Sequence, residues 1–433
     1  MPPLMDERLT SQKLSQAVSL VAGSGVDAWV TFVRETSGGG DPALSLILDG
    51  ALTWQSALIV TRAGEKIAVV GNYDADPLKE SGDWTEIVPY VQGIKAPLLE
   101  VLERVVKNPA PKLAVNFSLN DDKADGLSHG MYLLLQDYLK GSRFENSLVS
   151  AEEIVVSLRS QKSSSEIERM LGAIEETYKL FDAIGSFARA GTTELEVFEF
   201  THGLVEERGF GYAWESSVDP IVNSGPDSMI GHGIPSSKIC IAPGHIFHVD
   251  LGIVKDDYSS DLQRCWYVPE GRGEGRGERR EVSEAGASTP SLRVDKLKVE
   301  DGRRIPEDVA AGFAAVNVAI SAGAAALKPG VQGWEVDAAA RAELTSRGYE
   351  EYLHALGHQV GRVAHDGGAL LGPKWERYGN SPFIPIQENQ VFTLELGVVL
   401  PGRGYLGLED MVRVTANGIE WLSEREEELW ILD

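Results

Sequence analysis

Two pairs of acidic residues, each placed symmetrically about a turn, constrain this chain more than any other feature. Asp250 lies inside the apolar run Ile246–Val254, and Asp261 stands ahead of a second run ending Cys265-Trp266-Tyr267-Val268; both runs read as strands. A hairpin turning between Lys255 and Asp256 would set Asp250 opposite Asp261. Glu395, inside Val391–Leu400, and Glu409, ahead of Asp410–Val414, are symmetric about Gly402 in the turn Pro401-Gly402-Arg403-Gly404. Like charges directly opposed weaken a sheet, and burying them costs more still. Opposed side chains have Cβ atoms about 4.5–5.5 Å apart, and two-metal hydrolytic sites hold their ions about 3.5–4 Å apart. Two acid pairs could therefore clamp two cations. The alternatives are that one carboxylate of each pair faces solvent, or that the turns are centred elsewhere. Two such coincidences, with a suitable histidine between them along the chain, favour metal.

That histidine lies in Tyr352-Leu353-His354-Ala355-Leu356-Gly357-His358-Gln359-Val360-Gly361-Arg362-Val363-Ala364-His365. Gly357 and Gly361 flank His358 and permit the close backbone approach that a crowded site requires. A lone histidine is more often structural, but three of the eight histidines fall in this stretch. His232, in the Gly-rich segment Ser224–Gly233, reads on its own as structural.

Together these residues resemble the creatinase, prolidase and methionine aminopeptidase group, which has the pita-bread fold. The match rests on the Asp250-(ten residues)-Asp261 spacing, the Gly357-His358-x-x-Gly361 segment and the two late glutamates. The resemblance implies five metal ligands: Asp250 on one ion, Asp261 and Glu409 bridging both, and His358 and Glu395 on the other. It also places His232 and His365 against substrate and the tetrahedral intermediate, His354 nearby as a further motif histidine, and Glu395 as the carboxylate that carries a proton to the leaving nitrogen. Creatinase-like members work without metal and some relatives have lost catalysis; five filled ligand positions argue against both cases here.

An N-terminal α/β domain over residues 1–159 narrows the resemblance. Trp29–Val33, Leu44–Leu48, Ala57–Thr61, Lys66–Val70 and Lys112–Asn116 read as strands alternating with helical segments. Prolidases, aminopeptidases P and creatinases carry such a domain, whereas methionine aminopeptidases carry a short extension. The expected architecture is thus an α/β N-terminal domain followed by an α+β pita-bread catalytic domain over residues 160–433. Ser163-x-x-Glu166 and Thr193-x-x-Glu196 are capping boxes that open helices. Further helices are expected from Pro306 to Leu327 and from Glu335 to Arg347. Between them and the second acid strand, the Gly-Arg-Glu-rich stretch at about 269–305 buries too little apolar surface to order itself and reads as a flexible insertion.

Composition excludes some classes of partner. Sixty-five acidic against 40 basic residues give a net charge of −25, which argues against nucleic acid or an anionic membrane. Cys240 and Cys265 make no disulfide framework and suit a reducing cytoplasm. The first residues lack the regions of a signal peptide, and no apolar run reads as long enough to span a bilayer.

The chain departs from its relatives in two places. Their usual Arg-x-Glu-Asp motif appears as Gly407-Leu408-Glu409-Asp410, and their Gly-Tyr-x-Ser-Asp as Asp257-Tyr258-Ser259-Ser260-Asp261. Arg362 and Arg403 are candidates to replace the missing arginine, Arg403 being the more ordinary solvated residue of the two. Arg362 and Tyr258 are accordingly expected on the substrate side with His232 and His365. The expected activity is hydrolysis of Xaa-Pro bonds at the N-terminus of dipeptides or short peptides by a homodimer holding two divalent ions. Oxygen-rich ligation with one imidazole suits Mn²⁺, with Co²⁺ and Zn²⁺ also chemically possible. The alternative is a non-catalytic, metal-retaining pita-bread binding module.

Overall fold

The computed structural model describes residues 8–37, 39–231, 233–270 and 305–432. Residues 271–304 of the stretch expected to be a flexible insertion, and His232, fall outside them. The chain divides into two compact units. The first runs to Ile167 and includes Asp366–Gly368 and Gly379–Ser381; the second holds Glu168–His365, Ala369–Tyr378 and the remainder from Pro382.

The first unit is built on six strands: β1 (Ala28–Val33), β2 (Ser56–Thr61), β3 (Lys66–Gly71), β4 (Glu86–Tyr90), β5 (Leu113–Val115) and β6 (Leu148–Ser150), in the order β4-β3-β2-β1-β5-β6. β1–β2 and β2–β3 are antiparallel, the other neighbours parallel. Central strands buried on both faces read as continuous apolar runs, which is how β1 and β2 read. One expected strand is absent: Leu44–Ile47 is a helical turn. Its start is fixed locally, because Asp41 accepts a hydrogen bond from the Ala43 N–H at 2.9 Å and turns the chain. Ser163 and Glu166 exchange the two bonds of a capping box ahead of the helix Ser164–Phe187.

The second unit contains β7 (Gly211–Tyr212), β8 (Ile221–Ser224), β9 (Ile246–Leu251), β10 (Ile253–Lys255), β11 (Tyr258–Ser259), β12 (Leu262–Tyr267), β13 (Val391–Leu400), β14 (Gly404–Thr415), β15 (Gly418–Trp421) and β16 (Trp430–Ile431). Its main sheet has the order β13-β14-β12-β9-β8, all antiparallel, with β15 on β14 and β16 on β12. Strand alternation divides the work between its faces. Leu394, Leu396, Val398, Leu406 and Leu408 point to one face and share a core with Val309, Val316 and Ile320 of the helix Glu307–Ala326. Phe247 and Trp266 point the same way, and the Trp266 ring packs on both Phe247 and Phe181 of the helix Ser164–Phe187. The opposite face is left for polar chemistry. The helix Glu307–Ala326 is long and apolar enough, by length and composition, to cross a membrane, so the expectation that no run qualifies is corrected. Its apolar side lies in the core of this unit, which is the pattern of a core helix.

Candidate metal centre

One row of side chains crosses the polar face of the second sheet. Glu395 pairs with Glu409, Glu409 with Gln263, and Gln263 with Asp250 in the cross-strand register. The glutamate pairing is the one that symmetry about Gly402 demands. The aspartate pairing is not. Asp256 and Asp257 both adopt positive φ (50° and 66°), as a two-residue type I′ turn requires, so the hairpin is centred between them and not before Asp256. Asp250 therefore opposes Gln263, and Asp261 sits two positions back, just ahead of β12, on the diagonal of the same face.

His358 joins the row from the side. Its segment runs antiparallel to β13, with Thr393 N–H donating to the His358 carbonyl and Glu395 N–H to that of Leu356, at 2.9 and 2.7 Å. Contact this close needs Gly357, where an added Cβ would lie 2.0 Å from the Thr393 carbonyl oxygen. The His358 Nδ1–H donates to the Ala364 carbonyl at 3.1 Å, which leaves a lone pair on Nε2. That lone pair faces Asp261 Oδ2 at 3.6 Å, Glu395 Oε1 at 3.6 Å and Glu409 Oε1 at 3.9 Å. Burial, then the neighbouring His365, depresses the imidazole pKa to about 3, so the ring is neutral.

Four groups with acceptor atoms thus converge. Burial and mutual repulsion hold Asp250, Asp261 and Glu395 well above the usual carboxylate range, and burial first of all raises Glu409 to about 7. Asp250 Oδ1 and Glu409 Oε1 are buried without a hydrogen-bond partner. Asp261, His358 and Glu409 each offer a ligand atom within 4.8 Å of the others. A neutral imidazole, clustered carboxylates and orphaned oxygens are what a divalent cation fits.

Gln263 was not anticipated from sequence. Its Nε2 donates to Glu395 Oε2 at 3.0 Å and Glu409 Oε2 at 2.9 Å, while its Oε1 lies 3.0 Å from His248 Nε2. Those bonds leave Oε1 of each glutamate turned toward His358. The signal was present, since Gln263 follows Asp261 by two and must share its face.

The other expected site residues are dispersed around this row. His365 is exposed, with its ring 4.3 Å from that of His358. His354 is exposed beside Tyr352, ring centroids 5.7 Å apart. Arg362 lies 3.7 Å from Asp257 and over the ring of Tyr258. Tyr258 is itself fully buried, between Arg362 and Arg169, so it supports Arg362 and presents no surface to a substrate, contrary to its expected contact role. Arg403 is held by Glu270 at 2.8 Å and Asp308 at 3.2 Å and does not substitute for the missing arginine.

The model of metallopeptidase family M24 matches residues 168–286 and 302–416, more than half of the chain. The chain belongs to metallopeptidase family M24. Membership implies binding of a divalent metal, and the row described above is where the residues suit one. Among curated relatives, the chain is 29% identical over 279 residues to an Xaa-Pro dipeptidase of Pyrococcus furiosus, covering 64% of this chain and 67% of that protein. Solved structures of the same fold include an Xaa-Pro dipeptidase from Bacillus anthracis (TM-score 0.67, 21% identity, 98% of this chain and all of that one). Another is an X-Pro aminopeptidase from Thermotoga maritima (TM-score 0.64, 21% identity, 96% and 99%). The M24 chain is therefore a peptidase with a pita-bread domain preceded by an α/β unit.

Proposed function

We propose that this M24 peptidase hydrolyses Xaa-Pro bonds at the N-terminus of dipeptides or short peptides with two divalent ions, Mn²⁺ being favoured. The observation that carries this reading is the His358 lone pair facing three carboxylate oxygens, with Asp250 and Glu409 each keeping a buried, unpartnered oxygen beside it. Asp250, Asp261, His358, Glu395 and Glu409 would be the ligands. A bound ion pair supplies Lewis acidity, acidifying a water and offsetting charge on the attacked carbonyl.

The protein's own groups do the rest. Glu395 is the least buried of the three site residues Asp261, Glu395 and Glu409, so it is placed to accept the proton of the attacking water and return it. The nitrogen of an Xaa-Pro bond has no N–H and leaves as an amine only when protonated, which makes that return obligatory. His365, exposed beside His358, is placed to donate to the developing oxyanion, with His232 and His354 as further candidate donors. Arg362 is proposed to lie at the outer, substrate-carboxylate side. Free Cys240 and Cys265 and the acidic surface support a cytoplasmic setting, and a homodimer is the proposed assembly.

Metal analysis of the purified protein, together with proline release from Xaa-Pro dipeptides and tripeptides, tests this directly. Metal-replete protein that releases no proline from either would leave the binding-module alternative in its place.

A further inference from the structure

A second row of side chains lies beside the row that carries the acids. Asn223, His248 and Cys265 are cross-strand partners on β8, β9 and β12. His248 precedes Asp250 by two and so shares its face, on the diagonal from Gln263. Asn223, His248 and Gln263 are all buried, and the ring of Tyr405 closes on His248 edge-on, centroids 5.0 Å apart.

Counting hydrogens fixes how these groups must face. The Gln263 amide has two, and both go to carboxylates: Glu395 Oε2 at 3.0 Å and Glu409 Oε2 at 2.9 Å. Its Oε1 can only accept, and His248 Nε2 lies 3.0 Å away, so the ring donates to it. On the other side His248 Nδ1 stands 3.2 Å from Asn223 Oδ1, while Asn223 Nδ2 donates to the Met229 carbonyl at 2.9 Å. A reversed Gln263 amide would set its oxygen against two carboxylates and its NH₂ against the ring N–H. The ring therefore fixes the amide, and the amide fixes the carboxylates. Apolar side chains of the same shape could fill this space at little cost in stability, so what the polar set contributes is orientation.

We infer that Gln263 and His248 are positioning residues of the metal centre: His248 holds the Gln263 amide, which ties down Oε2 of both glutamates and turns both Oε1 atoms toward His358. Neither residue is among the five proposed ligands. The inference rests on the metal reading above and adds to it. Glu409 Oε1, which has no hydrogen-bond partner, is left for a cation. Glu395 Oε2 already accepts an N–H, so Oε1 is the oxygen on which Glu395 carries its proton.

Calorimetric titration of Mn²⁺ into the chelator-treated chain tests the pair. Gln263→Met, close in size and without a donor, should weaken Mn²⁺ binding by about 10–100-fold, the usual cost of losing a partner behind a ligand. His248→Phe should weaken it by about tenfold. Because His248 acts through Gln263, the double variant should bind within about twofold of Gln263→Met alone. Urea midpoints of the metal-free proteins are measured alongside. Unchanged Mn²⁺ affinity in Gln263→Met, whatever its metal-free stability, would make the pair an ordinary buried contact and overturn the inference. Losses that multiply in the double variant would overturn it too. One measurement needs no variant to fold: nitrogen NMR of isotope-labelled histidines in the Zn²⁺-loaded wild type should find a proton on His248 Nε2, and an unprotonated Nε2 would refute the arrangement. Wild type that takes up no divalent ion would overturn the metal reading and this inference together, whereas normal uptake with any failure above sinks the inference alone.

Discussion

At the scale of single residues, the site separates groups that hold charge from groups that touch its edge. Among the described residues, Asp261 contributes to the one cluster in which three His, Cys, Asp or Glu side chains present ligand atoms within 4.8 Å of one another. Asp261→Ala should therefore bind metal too weakly to survive dialysis and retain only a trace of activity. His365 packs on His358 through its ring and is exposed. His365→Ala should keep the metal content of wild type while kcat/KM falls by about 10²–10³, the scale of one lost oxyanion donor. Metal analysis and steady-state kinetics on the two variants check this contrast, and metal loss in His365→Ala would reverse the assignment. A different buried acid governs pH dependence in the first unit. Asp41 accepts from Asn116 Nδ2 at 2.6 Å and from Ala43 N–H at 2.9 Å, and burial raises its pKa from 3.8 to about 6. Between those values the folded state holds a proton that the unfolded state has released. Its contribution is therefore complete below the unfolded pKa and lost as pH rises through about 6. Asp41→Asn should remove about 2–3 kcal/mol of that fall, read as the difference between variant and wild type in urea midpoints at acid and neutral pH. Parallel curves would mean Asp41 does not titrate in this window.

At the scale of elements, the site is a matter of register, and register explains what was legible. The Glu395–Glu409 pairing follows from counting outward from Gly402, whose φ of +74° marks the turn. The same count also pairs Gly397 with Gly407, and the ring of Tyr405 packs across both. The Asp250 register was misread because its turn is Asp256-Asp257, without the glycine that usually marks a type I′ turn, and a centre displaced by one residue moves every partner by two. Leu44–Leu48 was misread because a five-residue apolar run has no distinguishable period, and the local bond from Asp41 decided it. The hydrogen-bonding of Gln263 and the burial of Tyr258 depend on neighbours far away in sequence, which composition and spacing do not encode. Gly357 gives this scale its prediction. A methyl there would meet a backbone oxygen of β13 that cannot swing aside. Gly357→Ala should therefore cost about 1–3 kcal/mol and displace His358, weakening metal binding together with stability. A variant of wild-type stability and metal content would show that the strand yields without cost.

At the scale of the whole molecule, charge is the dominant unbalanced quantity. The chain carries a net charge of −25, and the second unit concentrates Asp250, Asp261, Glu395 and Glu409 in one buried cluster. Cations can relieve this in two ways: diffuse screening by any salt, or specific binding that neutralises the cluster. They differ in dose and in pH response. A ligand that binds only the folded state adds about 2.7 kcal/mol at a hundred times its dissociation constant. For a unit of this size that corresponds to about 5–10 °C in the unfolding midpoint. Chelation at neutral pH should lower the midpoint by that amount, and micromolar Mn²⁺ should restore it, whereas sodium chloride at matched ionic strength should not. The shift should also shrink on acidification. The cluster carboxylates have raised pKa values, Glu409 at about 7, so below that pH protons occupy the same oxygens and compete with metal. Scanning calorimetry with and without chelator, at about pH 5 and pH 8, decides between the two. A chelation effect equal at both pH values, or undiminished in Asp261→Ala, would place the stabilising cation somewhere other than this row.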